Sequence, residues 1–176
     1  NQALDYDDLL LYWHAMMGDE RLATEIGGEF DHILVDEYQD TNTMQAAILL
    51  ALKPDGRGLT VVGDDAQAIY SFRGATVDNI LDFPGKFPTP AHVVTLEENY
   101  RSGQAVLDAA NELMAEGGRQ FRKFLRSSRG AGPRPRYVTV LDDQAQADYV
   151  IEHVLAARER GIDLRRQAVL FRNSDH

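Results

Sequence analysis

The chain has 176 residues, of which 44% are hydrophobic and 26% are charged, and its formal net charge is −10. This composition is typical of a globular protein that buries a core without cross-links. The sequence has no cysteine, which excludes disulfides and thiolate metal sites, and no apolar run approaches the roughly 18 residues of a membrane span. We therefore expect a cytoplasmic protein with no membrane partner.

The acidic net charge argues against a nucleic-acid partner, but the charge is unevenly distributed. Residues 1–96 contain 5 Lys and Arg against 16 Asp and Glu, whereas residues 97–176 contain 13 against 12. Seven basic residues and no acid occur between positions 119 and 136: Arg119, Arg122, Lys123, Arg126, Arg129, Arg134 and Arg136. Such a run most often forms a solvated face, and a contact with a polyanion is the alternative.

Helix and strand patterns alternate along the first half of the chain. The predicted elements, in chain order, are a helix at 4–17, a connector or short helix at 18–30, a strand at 32–36, a helix at 40–52, a turn at 54–58, a strand at 59–64 and a short helix at 77–83. Asn42 is the expected N-cap of the helix at 40–52, and Gln45 completes a capping box. The strand at 32–36 is too apolar to alternate, which predicts that both of its faces are covered.

The second half continues the alternation. After an irregular, proline-rich stretch at 83–90 the predicted elements are a strand at 92–96, a helix at 102–118, a strand at 136–141, a helix at 142–161 and a strand at 167–172. Ser102 is the expected N-cap of the helix at 102–118, and Gly117 follows its end. Strands that alternate with helices predict βαβ units, hence an α/β fold with a parallel sheet. The shift in composition near residues 97–100 predicts a domain boundary there.

Polar residues follow three of the predicted strands. "ILV" ends in "DEYQD", "TVV" ends in "GDDAQAIYSFRGA", and "VVTL" ends in "EENYRS". Ligands of an open parallel sheet bind outside the carboxyl ends of its strands. Each segment alone is a weak signal, because an Asp after an apolar strand is commonly an N-cap or a turn residue.

Two adjacent carboxylates on a rigid strand end favour metal-assisted phosphoryl transfer. In that chemistry Asp36 holds Mg²⁺, and Glu37 orients and deprotonates the attacking water. The amide of Gln67, at the second strand end, can sense a terminal phosphate. Arg101, from a facing domain, can stabilise charge on the transferring phosphoryl group when two domains close.

Tyr70, Phe72 and Arg73 fall within a stretch of four residues that follows the second strand. Exposed aromatic side chains beside an arginine are typical of a surface on which the bases of single-stranded nucleic acid stack. The alternative is that both rings belong to the core of a turn.

The three segments "ILVDEYQDTN", "VVGDDAQAIYSFRGA" and "LEENYRS" resemble the second, third and fourth motifs of superfamily 1 DNA helicases of the UvrD/Rep/PcrA type. "DYDDLL" (5–10) and "AVLFRNS" (168–174) resemble flanking segments of that family in the same order. The resemblance spans almost the whole chain. It implies RecA-like layers of parallel sheet of the P-loop NTPase type, with 1–97 the later part of a first motor domain and 98–176 the earlier part of a second.

The resemblance also implies a role for each residue at these strand ends. Asp36 would bind Mg²⁺, Glu37 would be the general base for water, and Gln67 would contact the γ-phosphate of ATP. Tyr100 would stack on adenine, and Arg101 would contact the γ-phosphate from the second motor domain. Single-stranded DNA would be bound by Tyr70, Phe72 and Arg73, with Phe72 where many relatives have Trp.

The function implied by the resemblance is Mg²⁺- and ATP-dependent movement on single-stranded DNA with duplex unwinding, and a role in DNA repair. No G-x-x-x-x-G-K-[ST] segment occurs in the chain. The family places its phosphate-binding loop before residue 1 and its last motifs after residue 176, so we expect the isolated chain to be inactive. The alternatives are a non-catalytic nucleotide-binding or protein-interaction module with the same fold, and a helicase–nuclease fusion.

Overall fold

A computed structural model of the chain describes residues 4–171. Its helices are α1 (Tyr6–Met17), α2 (Glu20–Gly28), α3 (Thr43–Leu52), α4 (Asp78–Asp82), α5 (Gln104–Ala115) and α6 (Asp143–Glu159), and its strands are β1 (Ile33–Val35) and β2 (Leu59–Val61). Short 3₁₀ turns occur at Tyr38–Asp40, Asp65–Gln67, Ser71–Arg73, Phe83–Gly85 and Leu164–Arg166. Within residues 4–171, no helix is long and apolar enough to cross a membrane.

The chain divides into two compact units, one that ends at Pro133 and one that begins at Arg134. The first unit contains both strands and the helices from α1 to α5, and the second contains α6. In the second unit the side chain of Gln167 donates from Nε2 to the carbonyl oxygen of Ile162 at 3.0 Å, which ties the chain after the helix back to the helix end.

Four of the six helices, α1, α2, α3 and α6, begin at a side chain that caps the first turn. Asn42 accepts the N–H of Gln45 at 2.9 Å, and the amide of Gln45 accepts the N–H of Asn42 at 3.0 Å. This capping box, which starts α3, is the one the sequence predicts, and replacing such an N-cap by Ala typically costs about 1 kcal/mol. Asp142 caps α6 in the same manner, by accepting the N–H of Ala145 at 2.8 Å.

The start of α5 differs from the prediction. Its N-cap is Gly103, so the prediction of Ser102 as N-cap is wrong. The N–H of Ser102 instead donates to Oδ1 of Asn99 at 2.8 Å, and its carbonyl oxygen accepts from the hydroxyl of Ser127 at 2.7 Å. The residue before the helix is therefore held by the segments on either side of it rather than by the helix itself.

The two strands form a parallel pair with Ile33 opposite Leu59, Leu34 opposite Thr60 and Val35 opposite Val61. This parallel pair and the helices around it confirm the predicted α/β character of the chain. The prediction that both faces of the first strand are covered is wrong, because the side chain of Leu34 is 78% exposed. Only the face that carries Ile33 and Val35 packs against hydrophobic neighbours.

Two hydrophobic clusters hold the first unit together. One joins α1, α2 and α3 through the buried side chains of Met17, Ala23, Ile48 and Leu52. The other lies beyond the strand ends and contains Tyr38, Ile80, Phe83 and Phe87. In this second cluster the ring of Phe83 packs edge-on against the rings of Tyr38 and Phe87, each at a centroid distance of 5.2 Å. The second cluster thus supports the backbone directly after β1.

Three predicted strands are not strands in the structure. Residues 92–96, 136–141 and 167–171 have no β-ladder, and position 172, the last of the third prediction, lies outside the described residues. Val94 and Leu96 are 67% and 79% exposed. An apolar run becomes a strand only when another strand accepts its backbone hydrogen bonds, and none of these runs has such a partner within residues 4–171. Among the described residues the structure therefore shows one parallel pair, which does not by itself confirm the predicted layers.

Candidate functional site

The carboxyl ends of β1 and β2 lie side by side. Beyond the strands proper, the N–H of Val62 donates to the carbonyl of Val35 at 2.7 Å, and the N–H of Tyr38 donates to the carbonyl of Val62 at 2.9 Å. These bonds bring the segment that carries Asp36 and Glu37 against the segment that follows β2. Such an edge is where an open parallel sheet binds its ligands.

Glu37 has an unusual backbone conformation. Its φ of 50° and ψ of 42° lie in the left-handed region, and it is the only residue other than glycine with positive φ between positions 4 and 171. For a residue with a Cβ this conformation costs about 1–2 kcal/mol. The N–H of Glu37 donates to Oδ1 of Asp36 at 2.9 Å. Strain of this kind, in a residue predicted to react, supports a functional hypothesis.

Gln39 connects the two strand ends, and the sequence reasoning missed it. Its side chain donates from Nε2 to Oε2 of Glu37 at 2.8 Å, and its Oε1 accepts the N–H of Asp64 at 3.0 Å. The residue is 1% exposed. The available signal was an amide side chain two positions after Glu37 in an otherwise acidic segment.

Gln67 is held by the loop in which it lies. Its Nε2 donates to Oδ2 of Asp64 at 2.9 Å, and Oδ1 of Asp64 accepts the N–H of Ala66 at 3.0 Å. The side chain of Gln67 is exposed. The predicted phosphate-sensing amide is therefore accessible and is held by Asp64, at the start of the same loop.

Lys123 is a second residue that the sequence reasoning did not single out. Its ammonium group contacts the carboxylate of Asp64 and lies 2.8 Å from Oδ1 of Asp65. Burial by itself would raise the pKa of Asp64, but hydrogen bonds from Gln67 and Lys123 outweigh it and hold that pKa below its usual value. Burial would lower the pKa of Lys123, but the two aspartates outweigh it and raise that pKa. Both groups are therefore charged at neutral pH.

Tyr70, Phe72 and Arg73 form an exposed cluster on the chain after Gln67. The rings of Tyr70 and Phe72 are 37% and 75% exposed, and their centroids are 5.7 Å apart. The guanidinium carbon of Arg73 lies 5.4 Å from the centre of the first ring and 5.6 Å from that of the second. The alternative that both rings belong to a turn core is wrong, while their role in binding DNA stays a prediction.

Tyr100 and Arg101 lie on the connection into α5. Tyr100 is 75% exposed, and Arg101 is exposed with its N–H bound to Oδ1 of Asn99 at 2.9 Å. The carbonyl of Tyr100 accepts from the guanidinium of Arg129 at 3.1 Å. Both side chains are accessible to a ligand, and their roles stay predictions.

The basic run at 119–136 is largely solvated, since six of its seven side chains are exposed, but part of it also makes contacts within the first unit. Arg119 pairs with Asp78 and Asp82, and Arg126 pairs with Glu98 at 3.4 Å. With Lys123 and Arg129 this makes four of its seven cations with partners in the chain. The run therefore joins the segment after α5 to residues that precede α5.

The acids at the strand ends fit a magnesium ion that is delivered with a nucleotide. Between residues 4 and 171 no group of three or more His, Asp or Glu side chains is placed to hold a metal ion by itself. Mg²⁺ is ordinarily bound in nucleotide sites by one or two carboxylates together with phosphate oxygens and waters. Asp36 is exposed and uses Oδ1 for the N–H of Glu37, so Oδ2 is the atom suited to the ion.

The sequence of the chain matches known families along most of its length. Residues 1–88 match the UvrD/REP helicase N-terminal domain, and residues 94–176 match the UvrD-like helicase C-terminal domain. The chain is similar to the ATP-dependent DNA helicases PcrA of Staphylococcus epidermidis and Staphylococcus aureus. The sequence identity to each is 34%, over 99% of the chain. The chain spans only 24% of the length of these relatives. The chain belongs to the UvrD/REP helicase family.

Proposed function

We propose that the chain is a segment of a longer, cytoplasmic, ATP-dependent DNA helicase that moves on single-stranded DNA. In this proposal, residues 1–97 are the later part of a first RecA-like motor domain and residues 98–176 the earlier part of a second. The two family matches, which end at residue 88 and begin at residue 94, support a division in this region. The short coverage of the PcrA relatives supports the longer parent protein.

The observation that carries the proposal is the placement of two acids and one amide at adjoining strand ends. Asp36 would hold the Mg²⁺ of Mg·ATP, which would neutralise phosphate charge. Glu37 would take the proton of the attacking water, and Gln67 would contact the γ-phosphate. Arg101 would stabilise the charge of the transferring phosphoryl group, and Tyr100 would stack on the adenine ring.

The same loop would couple the nucleotide to DNA. Gln67 and Tyr70 are three positions apart, and the N–H of Ile69 donates to the carbonyl of Gln67 at 2.8 Å. A displacement of Gln67 by the γ-phosphate would therefore move the cluster of Tyr70, Phe72 and Arg73. Aromatic rings of this kind stack on nucleotide bases without regard to sequence, as a translocating enzyme requires.

The proposal is tested in the full-length protein by substituting Glu37 and Arg101. We expect Glu37→Gln to reduce DNA-stimulated ATP hydrolysis by about 10²–10⁴-fold, because it removes the base and keeps the shape. Arg101→Ala should reduce it by about 10³–10⁵-fold, the usual effect of losing an arginine finger. Phosphate release measures both, and nucleotide and single-strand titrations should show binding largely retained.

The matched control for Arg101 is Arg57→Ala, which removes an exposed arginine that pairs only loosely with its neighbour Asp55. If Arg101→Ala left turnover within about a factor of two of the wild type, a difference of about 0.4 kcal/mol in the barrier, Arg101 would have no role in the reaction. Retained turnover in Glu37→Gln would refute the assignment of the general base.

A further inference from the structure

The side-chain amide of Gln39 occupies a site that fixes its orientation. A carboxylate cannot donate a hydrogen bond and a backbone N–H cannot accept one. The group that lies 2.8 Å from Oε2 of Glu37 must therefore be the NH₂, and the atom 3.0 Å from the N–H of Asp64 must be the oxygen. The Gln39 end of both hydrogen bonds is shielded from water, because Gln39 is 1% exposed.

The backbone around Gln39 leaves room for this one arrangement. A Cβ placed on Gly63 would lie 2.5 Å from Oε1 of Gln39 and 2.7 Å from Cδ1 of Ile80. Real Cβ atoms do not approach other atoms this closely, so a side chain at position 63 would displace the amide. Gly63, two residues after β2, thus allows the amide to reach across to Asp64.

The hydrogen bonds form a continuous path between the two strand ends. Glu37 accepts from Gln39, Gln39 accepts from the backbone of Asp64, and the carboxylate of Asp64 accepts from Gln67 at 2.9 Å. The path starts at the carboxylate assigned as general base and ends at the amide assigned to the γ-phosphate. Glu37, in its strained backbone conformation, has its carboxylate oriented by this path.

We propose that Gln39 is a positioning residue that aims the carboxylate of Glu37 and links it to the loop of Gln67, so that the base and the phosphate contact move together. The inference rests on the proposed function, since it takes the roles of Glu37 and Gln67 from there. Gln39 itself is buried and touches no substrate. Its contribution is geometric: a base misplaced by about 1 Å can cost about 10²-fold in rate.

The test is made in the full-length protein with Gln39→Met, which keeps the length of the side chain and removes both hydrogen bonds. We expect kcat for DNA-stimulated ATP hydrolysis to fall by about 10–10²-fold, with KM for ATP and the Kd for single-stranded DNA within about two-fold of wild type. A loss confined to kcat is the signature of an interaction that matters in the transition state. Gly63→Ala, whose added Cβ displaces the amide of Gln39, should likewise lower kcat while KM and Kd stay close to the wild-type values.

The matched control is Asn79→Leu. Asn79 is also a partly buried amide and donates to the carbonyl of Thr41 at 2.9 Å, but it does not lie on the path. We expect this variant to keep kcat within about two-fold of wild type. If Asn79→Leu lowered kcat as much as Gln39→Met, or if Gln39→Met kept wild-type kcat, the positioning role would be refuted.

The two levels of inference fail differently. Wild-type turnover in Glu37→Gln would overturn the proposed function. Loss of turnover in Glu37→Gln together with wild-type kcat in Gln39→Met would leave the function standing and overturn the positioning role alone.

Discussion

Phe72 holds an aromatic ring in solvent at 75% exposure beside Tyr70 and under Arg73. If this ring stacks on a base, Phe72→Ala in the full-length protein should weaken binding of single-stranded DNA by about 1–3 kcal/mol, the usual value of one base–aromatic stack. The effect should be similar for different base sequences, because every base has a face on which to stack. A fluorescence titration with labelled oligonucleotides at fixed salt concentration measures it.

Phe30→Ala is the control for this substitution, because Phe30 is also an exposed ring, at 51%, and lies outside the cluster. It should leave the affinity unchanged. Equal affinities for Phe72→Ala and wild type would remove the DNA-stacking role of this side chain. Equal losses in both variants would show that exposed rings in general, and not the cluster, bind the DNA.

At the scale of single residues, the sequence identified the side chains that stand at the strand ends but not those that hold them. Asp36, Glu37 and Gln67 follow directly on apolar runs, so their placement is a local property. The partner that makes Gln39 and Lys123 part of the site is Asp64, which lies 25 and 59 positions away from them along the chain. A sequence pattern describes residues that are close along the chain, so it does not reveal contacts that only the fold creates.

The element that follows α5 packs on the end of β2 through Lys123. The side chains of Lys123 and Asp65 are 13% and 4% exposed, and the N–H of Phe121 also donates to Asp65 at 3.1 Å. We expect Lys123→Met to lower the local stability of segment 119–126 by about 3–5 kcal/mol, since it leaves a buried carboxylate unpaired. Hydrogen exchange of this segment in the full-length protein measures the loss of protection.

Arg119→Met is the control on the same element. Arg119 pairs with Asp78 and Asp82, but these side chains are 40–66% exposed, and solvent screens such exposed pairs so that they contribute little to stability. The protection of segment 119–126 from hydrogen exchange should therefore change little in Arg119→Met. If the two variants lost protection equally, the contact with Asp65 would not be what holds the segment.

The effect of Lys123→Met should depend on pH in a defined direction. The pKa of Asp64 is lowered in the folded state, so its contribution is present above its unfolded value of about 3.9 and is lost as the pH falls through the folded pKa. The pKa of Lys123 is raised, so its contribution persists up to about 10.4 and is lost only as the pH rises through the folded pKa. The difference in protection between wild type and variant should be constant from about pH 5 to 9 and shrink below about 3.9.

The predicted helices all formed, but only two of the five predicted strands did so in the described residues, and the reason is the range of the interactions. The capping box of Asn42 and Gln45 spans three positions and is formed within the segment that it starts. A strand needs a partner that the segment does not contain. The runs at 92–96 and 136–141 have the composition of strands, but within the described residues no ladder forms on them.

At the scale of the whole molecule, two features fit the proposal that the chain is completed by further parts of a larger protein. Leu34 lies on the open face of the parallel pair at 78% exposure. Oδ1 of Asp40 is buried and has no hydrogen-bond partner among residues 4–171. An exposed apolar strand face and an unpaired buried oxygen both cost free energy, and further chain packed on that face and beside Asp40 would remove both costs.

The isolated chain should not hydrolyse ATP. It holds the carboxylates that would bind Mg²⁺ and activate water, but no G-x-x-x-x-G-K-[ST] segment. That segment supplies the lysine and the backbone N–H groups that hold the phosphates in P-loop nucleoside triphosphatases. Without them Glu37 has no fixed phosphate on which to direct a water molecule.

The purified 176-residue chain, with Mg·ATP and single-stranded DNA, should release phosphate no faster than its own Glu37→Gln variant, while the full-length protein in the same assay should release it readily. Release from the isolated chain above the Glu37→Gln rate would mean that residues 1–176 bind the phosphates by a route of their own, and the phosphate-binding loop would then not be required for the chemistry at the β1 end.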